Sequence, residues 1–201
     1  MLARAKLARA AVALNQLARS RLPPLVLITD DERLADPLVA ASKLPRGSMV
    51  IVRARQSSHR AKLAHSLRQV VRARGLVLLV ANDPVLADRT GAHGLHLSEG
   101  NMREACAWRA RRPRWLITAA AHTLAACASA KRSGADAAFL SPVFATASHP
   151  GIGCLGAVRA RMIGGQTAIP IYALGGVNGQ TAMRLPCASF VGLAAIDSLA
   201  A

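Results

Sequence analysis

Two arginines at the end of an apolar run are spaced so that both could bind one anion. Arg53 and Arg55 stand two positions apart where the apolar run "MVIV" gives way to polar residues. Alternate residues of a strand point to the same side, so two guanidinium groups at this spacing would face one ligand. Guanidinium groups bind phosphate oxygens through paired N–H groups, and the pair therefore suits a diphosphate. The alternative is that both arginines are solvated loop residues without a ligand.

A carboxylate and an amide follow the next apolar run of the chain. Asn82 ends the run "LVLLVAN", and Asp83 comes directly after it. A carboxylate beside diphosphate oxygens is a ligand that Mg²⁺ prefers, which makes Asp83 a candidate metal ligand. Glu99 could add a second carboxylate, although a solvated loop glutamate is the favoured interpretation of this residue. A structural role is also open for Asp83, because aspartate before a proline such as Pro84 commonly caps a helix.

One histidine and one pair of glycines complete the candidate site. His122 follows the run "WLITAAA" and could donate or accept a proton, although a histidine at the start of a helix on the rim, without a chemical role, is an equal alternative. Gly175 and Gly176 end the run "IPIYALGG". Bare glycine backbone lets a phosphate approach main-chain N–H groups, although a tight turn would require the same residues.

A glycine-containing segment, "TASHPGIGCLG", carries two further polar candidates. It spans residues 146–156 and begins with Thr146, and His149 lies near its middle. The segment is long enough to form a lid over a site.

Eight short apolar runs, bounded by turn residues, must position these side chains. Helix-compatible segments rich in Ala, Leu and Arg separate most of them, and this alternation predicts parallel strands covered by helices. Eight such units predict an α/β fold of the (β/α)8 TIM-barrel type, with a doubly wound open sheet as the alternative. The runs are residues 25–30, 49–54, 76–82, 94–97, 115–121, 137–144, 169–176 and 189–196. In a barrel the polar residues that follow them would gather at one rim.

The two ends of the chain predict an extra helix before the barrel and a short last helix after it. Residues 1–22 predict an extra N-terminal helix that would cover the base, before a barrel over residues 24–197. Only "DSLAA" follows the last run, so the last helix should be stunted. We expect one domain over residues 1–201. The short C-terminus would expose barrel surface that a second copy could cover, so a homo-oligomer is one expectation.

Composition narrows the class of protein. Hydrophobic residues make up 52% of the 201 residues, which supports a large core. No apolar run is long enough to span a membrane, and we expect a cytoplasmic protein without a membrane partner. The net charge of +16 attracts anions, but aromatic residues are only 3%, which argues against a nucleic-acid surface. The four cysteines form no CxxC pair, which favours reduced thiols: Cys106, Cys127, Cys154 and Cys187.

Five segments, in this order, resemble the thiamine-phosphate synthase/TenI family. They are "LVLITDD", "NDPVLADRTGAHGLHLSE", "AAAHTL", "GADAAFLSPVFATASHPG" and "IPIYALGGV". The resemblance covers about residues 24–197 and is most specific in "SPVFAT" and "IYALGGV". It implies a (β/α)8 barrel. In the synthase branch it also implies the Mg²⁺-dependent joining of hydroxymethylpyrimidine diphosphate to a thiazole phosphate, with release of pyrophosphate.

The resemblance also implies roles for single residues. Arg53 and Arg55 match the family's diphosphate-binding Arg and Lys. Asn82 and Asp83 match its Asn-Asp pair, whose Asp binds Mg²⁺. Gly176 matches a glycine whose backbone meets the thiazole phosphate.

The chain departs from the family pattern at several positions. Thr146 and His149 fall in the substrate-binding segment where the family has "TxTK", and His149 replaces the lysine. Ile51 replaces a glutamine that contacts the pyrimidine, Asn101 replaces a second metal-binding aspartate, and Ala120 replaces a serine. These changes remove charge and hydrogen-bonding groups from the diphosphate and metal side of the expected site.

Two alternative functions stay open on the sequence. A TenI-like thiazole tautomerase would use His122, which matches the family's rim histidine, as its acid–base group and would need no metal. A barrel without catalysis would bind a phosphorylated ligand or a polyanion. Metal dependence separates the synthase from the tautomerase.

Overall fold

Eight parallel strands close into a barrel in the order of the chain, and β8 pairs with β1. The structure is a computed structural model, and it describes residues 2–146 and 153–200. Each strand lies on one of the eight predicted runs, so the predicted (β/α)8 barrel is confirmed. The strands are β1 (Leu25–Ile28), β2 (Met49–Val52), β3 (Val77–Ala81), β4 (Gly94–Leu97), β5 (Leu116–Ala121), β6 (Ala137–Leu140), β7 (Ile171–Ala173) and β8 (Phe190–Ala195).

Helices follow the strands around the outside of the barrel. They are α1 (Leu2–Leu17), α2 (Pro37–Ser42), α3 (Ser57–Arg74), α4 (Pro84–Thr90), α5 (Ala105–Arg111), α6 (Leu124–Arg132), α7 (Gly156–Gln166) and α8 (Asp197–Ala200). Two 3₁₀ helices, Glu99–Glu104 and Thr181–Arg184, are also present in the described residues. The predicted stunted last helix is present as the four residues of α8. In the described part of the chain, no helix has the length and apolar character needed to cross a membrane.

The strands are apolar on both faces because both faces are covered. Almost every strand residue is buried, as expected where helices pack outside and side chains fill the interior. Aromatic rings occupy part of that interior. The Phe139 ring stacks on Tyr172 at 4.6 Å and meets the edge of His96 at 4.8 Å. Because β4 and β6 are not neighbours, the contact between His96 and Phe139 crosses the barrel interior.

The N-terminal helix takes the place of a full-length eighth helix. It packs mainly along β8, with Leu7 and Leu14 buried, instead of covering the base as the sequence predicted. The Asn15 side chain donates hydrogen bonds to the carbonyl oxygens of Leu22 (2.9 Å) and Val191 (2.7 Å). The helix therefore compensates for the short α8, and the sequence between α1 and β1 is fixed to the barrel wall.

Candidate active site

A cleft of about 1140 Å³ opens at the carboxyl ends of the strands. Its walls come from the segments after β1, β2, β5, β6, β7 and β8. Five of the predicted site residues line it: Arg53, Arg55, His122, Thr146 and Gly176. The cleft lies where barrel enzymes carry their active sites, and its size suits a small phosphorylated molecule.

Both predicted phosphate-binding arginines are paired with carboxylates of the segment after β1. Arg53 Nη2 donates to Asp30 Oδ2, and Arg55 Nη1 lies 2.6 Å from Glu32 Oε1. The main-chain N–H of Arg55 donates to Asp31 Oδ2 at 2.9 Å. The Arg55 side chain is 81% exposed, so its ion pair is screened by water and is easily exchanged for another anion.

The Asp30 carboxylate binds two arginines and the main chain of the segment after β1, on one side of the cleft. Its Oδ1 accepts hydrogen bonds from the main-chain N–H groups of Glu32 and Arg33, each at 3.2 Å. Its Oδ2 accepts from the guanidinium groups of Arg33 and Arg53. Burial raises the pKa of Asp30, but these hydrogen bonds outweigh it and leave the pKa below its ordinary value. The carboxylate is therefore ionised and holds Arg53 against the cleft.

Asn82 and Asp83 lie at the end of β3, outside the residues that line the cleft. Asp83 caps α4, because its Oδ1 accepts a hydrogen bond from the N–H of Leu86 at 2.9 Å. Its Oδ2 is 4.0 Å from Arg60 Nε. Asn82 has a positive φ of 51°, and its Oδ1 accepts from the N–H of Ser98 at 2.8 Å. The capping role that the sequence left open is present, and one Asp83 oxygen remains for another ligand.

His122 is held at the rim by main-chain groups. Its Nδ1 lies 2.7 Å from the carbonyl oxygen of Ser141, so Nδ1 carries a proton and donates it to that oxygen. Nε2 is 4.0 Å from Glu99 Oε2, and the same carboxylate oxygen accepts the His122 main-chain N–H at 3.0 Å. The Glu99 carboxylate therefore contacts both the ring and the main chain of His122.

Gly176 forms part of the turn after β7, and this turn requires glycine. Its φ is 61°, and an added Cβ would collide with the carbonyl oxygen of Ala145 and lie 2.8 Å from Phe144 Cβ. Thr181 Oγ1 donates to the Gly176 carbonyl oxygen at 3.0 Å, which fixes the peptide orientation. The tight-turn interpretation is therefore confirmed, and the turn lines the cleft.

His149 lies outside the described residues, as does most of the predicted lid over residues 146–156. Thr146, at the edge of that segment, lines the cleft. Among the described residues, no three His, Cys, Asp or Glu side chains are grouped closely enough to hold a metal ion unaided.

His96 lines the cleft and was not among the predicted site residues. It is buried in β4, and its Nδ1 lies 2.9 Å from Thr118 Oγ1. Burial, together with the positive charge of Arg53, lowers the pKa of His96 to about 4. The imidazole is therefore neutral at pH 7. A polar residue within the buried run "GLHL" was the signal in the sequence that could have found it.

The depressed pKa of His96 predicts a specific loss of stability in acid. In the unfolded chain the His96 side chain takes up a proton near pH 6.5, whereas in the folded chain it does so only near pH 4. Stability should therefore fall as the pH drops from 6.5 to 4, by up to about 3 kcal/mol from this group. Urea unfolding of wild type and His96→Gln at pH 7.0 and pH 4.5 measures it. Equal pH dependence in the two proteins would contradict a neutral buried histidine.

The chain matches a known protein family over nearly its whole length. The family described as "Thiamine monophosphate synthase" matches residues 25–199, nearly the whole chain and all eight strands. The chain belongs to this family. The predicted family is thereby confirmed.

Curated relatives in the thiamine monophosphate synthase family are similar over most of the chain. The "Putative thiamine-phosphate synthase 2" of Aquifex aeolicus is 30% identical over 162 residues, which are 78% of this chain and 87% of that protein. The "Thiamine-phosphate synthase" of Chlorobium luteolum is 28% identical over 88% of this chain and 85% of its own. The "Thiamine-phosphate synthase" of Chloroflexus aurantiacus is 32% identical over 69% of this chain, but only 64% of that protein is matched.

A solved structure supports the fold of this family. "Thiamine phosphate pyrophosphorylase from Pyrococcus furiosus" superposes with a TM-score of 0.73 at 22% identity. The match covers 94% of this chain and 90% of that one. At this identity the likeness shows the barrel, while the family rests on the sequence match.

Proposed function

We propose that this chain is a thiamine-phosphate synthase, which joins hydroxymethylpyrimidine diphosphate to thiazole phosphate and releases pyrophosphate. The observation that carries the proposal is a single rim cleft with two separate anion-binding features. One is the guanidinium of Arg53 after β2, and the other is the bare turn at Gly176 after β7. A reaction between two phosphorylated molecules needs both, and the names of the family's curated relatives point to the same chemistry.

The diphosphate would replace carboxylates that now occupy the arginines. Arg55 would exchange the exposed Glu32 for phosphate oxygens, while Arg53 would keep Asp30 as its anchor and use its remaining N–H groups. In the reaction the bond between the pyrimidine methylene carbon and oxygen breaks, and diphosphate leaves with the electron pair. The thiazole nitrogen then donates its lone pair to that carbon. The guanidinium groups stabilise the negative charge of the leaving group.

The donor set at the end of β3 fits a magnesium ion that arrives with a diphosphate. Mg²⁺ is commonly held by one or two carboxylates together with substrate oxygens and water. Asp83 supplies one carboxylate, of which Oδ2 is not used by the helix cap. Asn101 stands where the family pattern has a second aspartate and bonds weakly to Asn82 instead, at 3.4 Å. When bound, the ion would neutralise charge on the leaving diphosphate, and Asp83 would be its protein ligand.

His122 would orient the bound substrates in this synthase. The structure gives it a fixed ring orientation and a carboxylate neighbour, Glu99. The same arrangement would serve a tautomerase, but the names of the relatives do not favour that activity. Metal dependence still separates the two functions.

The decisive experiment combines both substrates with the purified protein and Mg²⁺ and quantifies thiamine phosphate. We expect product that disappears with EDTA. Asp83→Ala should lower kcat/KM by about tenfold or more, because the ion loses its carboxylate ligand, and high Mg²⁺ should restore part of the loss. Asp88→Ala is the matched control, since Asp88 lies on the same helix and pairs with Arg112 at the surface.

Two outcomes of this experiment would contradict the proposal in whole or in part. A folded wild-type protein that makes no thiamine phosphate would exclude the synthase, and the thiazole tautomerase assay with His122→Asn would follow. Product that is indifferent to EDTA and to Asp83→Ala would exclude the proposed magnesium role while leaving the synthase.

We propose further that the enzyme works in the cytoplasm and that two copies of it can pair. The chemistry requires phosphorylated small molecules as substrates, and nucleic acid remains an unexpected partner despite the charge of +16. Size-exclusion chromatography with light scattering tests the pairing, and a monomer at all concentrations would exclude it.

A further inference from the structure

A third arginine, Arg33, lies in the wall of the cleft. It belongs to the segment after β1, and its side chain is 20% exposed. Its guanidinium lies between two carboxylates. Nη2 is 3.4 Å from Asp30 Oδ2, and Nη1 is 3.4 Å from Asp197 Oδ2, at the start of α8. Arg33 thus spans the rim between neighbouring strands β1 and β8.

The two ion pairs leave the Arg33 guanidinium weakly satisfied. Charge-assisted hydrogen bonds between guanidinium and carboxylate groups are usually about 2.7–2.9 Å long, and the pair of Arg55 with Glu32 is shorter still, at 2.6 Å. Both contacts of Arg33 are at the long limit of a hydrogen bond. A guanidinium carries five N–H groups, so a better-placed anion would gain paired hydrogen bonds that the carboxylates do not provide.

The surroundings of Arg33 show which partner is exchanged. Asp30 is mostly buried, fixed by main-chain N–H groups and shared with Arg53, so it stays as the anchor that orients both arginines. Asp197 is 58% exposed and holds Arg33 only at 3.4 Å. An exposed ion pair of this kind contributes little, and an incoming anion would displace Asp197 first.

Through its contact with Asp197, Arg33 lies beside the segment that follows β8. The segments after β7 and β8 line the cleft, with Gly176, Val177 and Ser198. Ser198 Oγ donates to the carbonyl oxygen of Val177 at 2.8 Å, which ties the two segments together. Main-chain groups in these two segments are the usual phosphate-binding elements of such barrels.

We infer that Arg33 binds the monophosphate of the thiazole substrate and takes it in exchange for Asp197. The inference rests on the proposed function for the identity of the substrate. Arg53 and Arg55 hold the diphosphate on the β2 side, and Asp30 keeps Arg33 and Arg53 at fixed positions. The three guanidinium groups thereby divide between the two anions of the reaction.

Steady-state kinetics with each substrate varied separately test the assignment. Arg33→Met should raise KM for thiazole phosphate about tenfold or more and leave KM for the pyrimidine diphosphate within about twofold, because one charge-assisted contact is lost. Arg33→Lys should recover part of the loss. Asp197→Asn should lower KM for thiazole phosphate, because it removes the competing charge. Arg72→Met, exposed at the far end of α3, is the control for a general loss of positive charge.

Calorimetric titration with inorganic phosphate separates this inference from the proposed function. If the wild type forms no thiamine phosphate, phosphate affinity can still be compared among wild type, Arg33→Met and Arg72→Met, with thermal unfolding as the check on folding. Weaker phosphate binding only in Arg33→Met supports the inference. Equal affinity in all three proteins, or a rise in KM confined to the pyrimidine diphosphate, overturns it.

Discussion

Arg53→Met is expected to lower kcat/KM for thiamine phosphate formation by roughly 10²–10⁴. A guanidinium that binds a diphosphate supplies two charge-assisted hydrogen bonds, and each contributes about 1.5–3 kcal/mol to the transition state. The substitution also leaves the Asp30 carboxylate without one of its guanidinium partners beside the incoming diphosphate. The loss should appear in kcat as well as in KM, because negative charge on the leaving group grows as the bond breaks.

Companion variants of Arg53→Met separate the causes. Arg53→Lys keeps the charge but loses the planar pair of donors, so an intermediate rate is expected. Adding Asp30→Asn to Arg53→Met should recover activity if the unpaired carboxylate repels the diphosphate. Arg55→Met should have a smaller effect, since that side chain is 81% exposed. A loss of less than threefold in Arg53→Met would contradict the assignment of the diphosphate to this wall.

The barrel could be predicted from the sequence because the burial of each strand is recorded in its own short stretch of residues. A parallel strand covered on both faces is a nearly continuous apolar run, and the eight runs have this character, with few polar residues such as His96 inside them. Some strands were predicted to extend too far at their carboxyl ends, where polar residues no longer take part in the hydrogen bonding of the sheet. Asn82 turns away with φ of 51°, and β2 stops at Val52 before the arginines. The cap at Asp83 was also readable, because Pro84 follows it.

The ion pairs of the site could not be predicted from the sequence, because they join residues that are distant in the chain. Asp30 and Arg53 are 23 positions apart, and only the pairing of β1 with β2 brings them together. Arg33 reaches Asp197 across 164 positions, where the barrel closes. The position of α1 along β8 has the same origin, since Asn15 contacts Val191. No spacing rule within a single segment predicts such contacts.

Gly176→Ala is expected to lower kcat/KM by roughly 10²-fold while leaving the barrel folded. A residue with a Cβ is disfavoured at a φ of 61°, by about 1–2 kcal/mol, and the new methyl group would press on Ala145 and Phe144. The turn must shift to relieve this. A displacement of about 1 Å at a substrate-positioning group is enough for a hundredfold loss. The phosphate of the thiazole substrate would meet misplaced N–H groups, so KM for that substrate should rise most.

Gly165→Ala is the matched control for this change. Gly165 lies in α7 with open space around its Cα, so alanine there should add about 0.5–1 kcal/mol of stability without touching the site. Thermal unfolding should show Gly176→Ala lowered by a few degrees and Gly165→Ala raised. If Gly176→Ala unfolds as expected yet keeps the wild-type KM for thiazole phosphate, the turn after β7 serves the fold alone. The phosphate would then depend on Arg33 and the segment after β8.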